Sequence, residues 1–155
     1  MRAMLAWVMA GFFLGVPGAA AFPVAGKITL DDVAAHGLIP TQPTPDKAGR
    51  WASTPYFKLY SEGRLVFAGL SADARQMAST ATGKKQARIH GDVKPRSLAS
   101  EMATLKIKRA GTGARVLVVY VSDPCPPCDS LIAGAVSSLQ PLGSGAIEQL
   151  RVVVH

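Results

Sequence analysis

The sequence predicts an α/β domain in which one mixed sheet is flanked by helices. Three stretches carry that expectation. "TPYFKLYSEGRLVFAGL" (54–70) reads as a β-hairpin, and "ARVLVVYVS" (114–122) is a nearly unbroken β-rich run. After it, apolar residues recur at helical spacing until a final aliphatic run, "IEQLRVVVH" (147–155). Strand, helix and strand in that order form a βαβ unit, so the two strands are expected to be parallel neighbours. At 155 residues the chain is long enough for one domain with a real core and too short for two ordinary ones.

The first residues look like a targeting segment. Met1-Arg2 supplies a basic start, "AMLAWVMAGFFLGV" is uncharged and apolar, and "PGAAA" ends it with a breaker and small residues. Ala19 and Ala21 fit a small-residue cleavage pattern, so residues 1–21 are expected to be a signal peptide and 22–155 the mature domain. The alternative is an uncleaved anchor through residues 3–21, the only route by which this reading brings the protein to a membrane. Either way the domain lies outside the cytoplasm, with a bacterial periplasm the natural setting, where thiols can be oxidised.

The formal net charge is +7. Its basic residues, among them Lys84, Lys85, Arg88, Lys94, Arg96 and Lys106, are scattered. Aromatic residues are not interleaved with them, so nucleic acid is not an expected partner and the charge reads as a solvated basic surface.

The remaining elements follow from local signals. In "ITLDDVAAHGLIP" (28–40), Thr29 caps a short helix with Asp32 three residues on, and Gly37 and Pro40 end it. A loop punctuated by Pro40, Pro43 and Pro45 leads to the hairpin, where Gly63 supplies a positive φ. "SADARQMASTA" (71–81) reads as a weakly amphipathic helix capped by Ser71, and residues 83–95 as a polar connector. "SLASEMATLKIK" (97–108) is a better helix, capped by Ser97, with Leu98, Met102 and Leu105 on one face. After the cysteines, Leu131, Ile132, Ala135, Val136 and Leu139 mark a helix that "PLGSG" breaks. The halves are therefore 22–82, which holds the hairpin, and 96–155, which holds the cysteines.

Both cysteines of the chain lie in "VVYVSDPCPPCDSL" (118–131). A Cys125-Pro126-Pro127-Cys128 motif can be a redox dithiol, half of a metal site or a small staple. Structural zinc takes four ligands, and His36, His90 and His155 are scattered without ligand spacing, so no metal is expected. A disulfide closing so short a loop constrains the unfolded chain little and is a poor staple. The redox reading has a mechanism. Cys125 follows a buried strand where a helix begins, and Pro126 and Pro127 suit a first helical turn. Free amides and the positive helix end then favour a Cys125 thiolate. Cys128, one turn on and more buried, is placed to resolve a mixed disulfide. Asp123 is a local cap or a modulator that opposes the thiolate if it is charged and close.

Hydrophobic strand, CxxC and amphipathic helix together resemble the thioredoxin superfamily, and "SDPCPPC" is most similar to its periplasmic disulfide oxidoreductases and isomerases. Ordinary thioredoxins carry a Trp before the first Cys, where Ser122, Asp123 and Pro124 stand here. The resemblance implies Cys125 as the attacking thiol, Cys128 as the resolving thiol and no cofactor. It implies protein thiols and disulfides of the cell envelope as substrates, with a redox partner that recharges the pair. It also implies a cis-proline loop beside the dithiol, normally C-terminal to the CxxC. Thr54-Pro55, at the head of the upstream hairpin, has that character, which suggests a circularly permuted element order. The Thr54 strand is then expected to pair antiparallel with Val116–Val121 and bring Pro55 beside Cys125. Two other functions fit the same residues. One is a non-catalytic envelope binding module of the same shape, the other a thiol-based metal-delivery protein.

Overall fold

The computed structural model describes residues 24–47, 51–70, 76–77, 80, 87–109, 113–139 and 147–155. The expected leader therefore lies outside the described residues, as does most of the helix expected over 71–81. Of that helix Gln76, Met77 and Thr80 are helical, and Met77 is fully buried.

In chain order the elements are β1 (Val24–Ile28), α1 (Leu30–His36), β2 (Tyr56–Ser61), β3 (Arg64–Leu70), β4 (Arg88–Ile89), α2 (Leu98–Leu105), β5 (Arg115–Ser122), α3 (Cys128–Leu139) and β6 (Glu148–Val154). The strands form one mixed sheet in the order β1-β6-β5-β2-β3-β4. β1, β6 and β5 are mutually parallel, β2 is antiparallel to both β5 and β3, and β4 is parallel to β3. The predicted βαβ unit is β5-α3-β6, with Val116 opposite Glu148 and Ser122 opposite Val154.

β5 alternates between two cores. Val116, Val118 and Tyr120 pack with Val33, Leu98, Met102 and Leu105 from the α1 and α2 side. Leu117, Val119 and Val121 pack with Cys128, Ile132, Ala135 and Leu139 from α3. A strand covered on both faces has no polar side, and its unbroken aliphatic sequence follows from that burial.

Local chemistry sets the ends as the sequence indicates. Thr29 caps α1, its hydroxyl accepting from the Asp32 amide at 3.1 Å, and Gly37 closes it at φ 58°. The hairpin turns on Glu62 and Gly63, both at positive φ, a requirement of the tightest turns that match strand twist. Beyond it Tyr60 faces Leu65 while Leu59 faces Phe67, so Val66 is the extra residue of a bulge.

Three features depart from the sequence reading. β1 was not expected, because "VAGKI" has weak strand character; its Gly26 lets Ile107 come so close that an added Cβ would lie 2.9 Å from Ile107 Cδ1. Pairing with Val-rich β6 supplies what its own sequence lacks. The polar connector contributes the two-residue edge strand β4. Finally, α3 starts at Cys128 rather than at Cys125. Pro126 and Pro127 instead form a turn in which the Cys128 amide donates to the Cys125 carbonyl at 3.0 Å. The first Pro127–Leu131 helical bond follows it.

Candidate functional site

β5 delivers the CxxC turn to one end of the sheet. Ser122 is its last residue, the Asp123–Pro124 bond is cis, and Cys125 follows. Cys125 and Cys128 form a disulfide with an S–S length of 2.05 Å and Cα atoms 5.4 Å apart. The two sulfurs have different surroundings. Cys128 is completely buried with Phe57, Leu59, Val119, Val121, Ile132 and Val153, whereas Cys125 is half-buried at the rim of that cluster. Pro126 and Pro127 are exposed, as are Asp123 and Pro124.

The upstream hairpin reaches the same place. β2 runs antiparallel to β5 with Tyr56 opposite Tyr120, so the residues before Tyr56 continue past the end of β5. Thr54 Oγ1 donates to Ser122 Oγ at 3.1 Å, which brings Thr54 against the residue three before Cys125. The Thr54–Pro55 bond is cis and Pro55 is buried. Thus Thr54 and Pro55, remote in sequence from the cysteines, share their end of the sheet.

The residue after Cys128 carries a contact that sequence reasoning missed. Asp129, in the first turn of α3, accepts from Arg151 Nη1 at 2.9 Å. Arg151 lies on β6 opposite Val119 and keeps only 19% of its side chain exposed. The available signal was a cation inside the last aliphatic run.

A second missed feature lies on the other face of the sheet. Lys58 and Glu101 are both fully buried and form a 2.6 Å ion pair. Tyr120 also donates to Glu101 Oε1, the Lys58 ammonium sits 5.3 Å from the Tyr120 ring centre, and Arg96 Nε lies 3.6 Å from Glu101 Oε2. The signal was present: Glu101 falls on the same helical face as Leu98, Met102 and Leu105, and Lys58 stands inside the apolar run "YFKLY". The cluster ties β2 and β5, the strands that carry the two halves of the site, to α2.

Burial and the Glu101 carboxylate both push the Tyr60 and Tyr120 hydroxyls well above their ordinary pKa. Burial lowers the Lys58 pKa against the pull of Glu101. The signs differ. The tyrosines contribute stability that is complete below their ordinary value of 10.0 and is lost as pH rises beyond it, because unfolded phenols ionise first. Lys58 contributes stability that is present above 10.5 and is lost as pH falls through its folded pKa. Above 10.5, therefore, the tyrosines dominate among these groups. The unfolding free energy, read by urea titration, should fall there with rising pH, by up to about 1.4 kcal/mol per pH unit for each tyrosine. Tyr60→Phe should flatten that fall.

Among the described residues no three His, Cys, Asp or Glu side chains come together as a metal-ligand set. No helix among them is long and apolar enough to cross a membrane. The chain matched no protein-family model, no curated protein and no solved structure.

Proposed function

We propose that this chain is an exported thiol–disulfide oxidoreductase built on a thioredoxin-like domain, with Cys125 and Cys128 as its exchanging pair. The observation that carries the proposal is the asymmetry of the disulfide: a partly buried outer cysteine at the rim, a fully buried inner one, and both at the end of the central strand. An approaching thiolate can reach Cys125 and cannot reach Cys128. A staple has no need of that difference, whereas two-step exchange does.

The reaction then balances without a cofactor. A substrate thiolate attacks Cys125 Sγ, the Cys125–Cys128 bond breaks, and Cys128 departs as a thiolate. A second substrate thiolate attacks its own sulfur in the mixed disulfide and releases Cys125. The substrate leaves oxidised and the pair reduced; the reverse sequence reduces a substrate disulfide. Thr54-Pro55 is the loop that borders the substrate segment. Pro126 and Pro127 shape the turn, and Asp123 tunes the charge around Cys125.

The strand order supports a permuted arrangement. The β2-β3 hairpin lies beside β5 although it precedes the CxxC in the chain. His155 accepts from the Leu30 amide at 3.0 Å, so β6 leads in space directly to the start of α1. Rotating the order of elements would join those two points. The leader-like residues 1–21 supply the route to an oxidising compartment, where envelope proteins are the substrates and a further dithiol recharges the pair.

Catalysed reduction of insulin by dithiothreitol tests the proposal. The oxidoreductase accelerates precipitation of the insulin B chain, while an inert wild type whose disulfide also fails to equilibrate with thiols favours the binding module instead.

A further inference from the structure

Exchange at Cys125 places a negative charge on Cys128, and Cys128 is completely buried among Phe57, Leu59, Val119, Val121, Ile132 and Val153. A thiolate left in such surroundings is a poor leaving group unless a cation or a proton meets it. The elements packed around it offer few charges. β2 contributes Phe57 and Leu59, β3 contributes Phe67, and β5 contributes Leu117, Val119 and Val121. Asp123 stands in the preceding loop and Asp129 in the first turn of α3, both acidic and both exposed. Strand alternation puts Lys27 (opposite Val153), Arg88 (opposite Phe67, on the edge strand) and Arg115 (at the far end of β5) on this face as well, but Arg151 is the cation that pairs with Asp129, the residue next to Cys128.

Its placement fits. In β6 the side chains of Leu150, Val152 and Val154 face the α1 and α2 side, and Val153 faces Cys128. Strand alternation therefore turns Arg151 to the Cys128 side, next to Val119 and under the first turn of α3, where it holds Asp129. Arg151 Nε is buried and has no hydrogen-bond partner, and Gln149 Oε1, two residues along the same face, is unpartnered as well. An unsatisfied guanidinium N–H in a buried position is costly, and such sites call for a functional explanation.

Resting on the oxidoreductase reading above, we infer that Arg151 is a positioning residue for the dithiol: its guanidinium, buried at Nε, stabilises the Cys128 thiolate released when Cys125 is attacked. The oxidised protein stores that cation against Asp129, and reduction supplies a second anion on the same face. A nearby guanidinium lowers a thiol pKa by roughly one to two units, and exchange rates follow the leaving-group pKa with a slope of about 0.5. Removing it should slow reduction by roughly three- to tenfold.

The test is the rate at which dithiothreitol alone reduces the Cys125–Cys128 bond, followed across pH by quenched alkylation and mass. It needs no protein substrate, so failure of the insulin assay and failure of this inference are separate results. Arg151→Met should slow reduction by that factor, and Arg151→Lys, which keeps the charge, should recover most of the rate. An unchanged rate in Arg151→Met overturns the inference. Equal slowing in Arg151→Lys and Arg151→Met also overturns it, since packing and not charge would then be responsible. If Arg151→Met does not fold, Asp129→Asn at the exposed partner carries the test. Freed from the carboxylate, Arg151 should speed reduction, and an unchanged or slower rate counts against the role.

Discussion

Glu101→Gln is expected to destabilise the domain by about 3–5 kcal/mol, read as a lower urea midpoint. The cause is the charge left behind. Lys58 has no exposed surface, and its ammonium loses the 2.6 Å carboxylate contact while Tyr120 loses the acceptor of its hydroxyl. Burial already lowers the Lys58 pKa even with Glu101 present, so without that partner the lysine either folds neutral or does not fold. The loss should therefore be larger at neutral pH than at alkaline pH. Replacing both partners separates a stranded charge from lost packing. Lys58→Met combined with Glu101→Leu removes the charge and fills much of the space, and it should recover most of the stability lost in Glu101→Gln. Failure of the double variant to recover would show that Tyr120 and Arg96 depend on the carboxylate more than Lys58 does.

Cys125→Ser should abolish insulin reduction, leaving only the background rate with dithiothreitol. Cys128→Ser should lose turnover as well but fail at a different step. Cys125 remains partly exposed and able to attack, so this variant should accumulate mixed disulfides with substrate proteins that a reducing agent releases. Cys125→Ser should trap none, because its remaining thiol is buried. The contrast follows from the burial asymmetry. Equal trapping by both variants, or by neither, would assign the sulfurs roles other than attacker and resolver.

Several of these features were open to sequence reasoning because they are local. The Thr29 cap, the Gly37 stop and the positive-φ turn at Gly63 each rest on residues within four positions of one another. β5 was legible because burial on both faces leaves an unbroken aliphatic run. The meeting of Thr54 with Ser122, by contrast, depends on an antiparallel pairing across 68 positions. The hairpin pattern alone does not specify that pairing, which was expected only through the resemblance to the thioredoxin superfamily. β1 was hidden because its glycine serves the packing of Ile107 and its strand state comes from β6. The start of α3 was placed one turn early, since two prolines suit a tight turn as well as a first helical turn. Buried charges were the hardest to see. Lys58, Glu101 and Arg151 each sit at an apolar position of the pattern, but which charges meet there depends on contacts across the fold.

The central claim is that the Cys125–Cys128 bond opens and closes as part of function. Equilibration of the purified protein with glutathione buffers of graded ratio tests it most directly, with the oxidised fraction read by alkylation and mass. The account predicts one reversible two-electron transition at a potential less negative than about −300 mV, the bound below which structural disulfides fall. A bond that stays closed across every glutathione ratio, while the fold remains intact, would contradict it and leave the pair a staple.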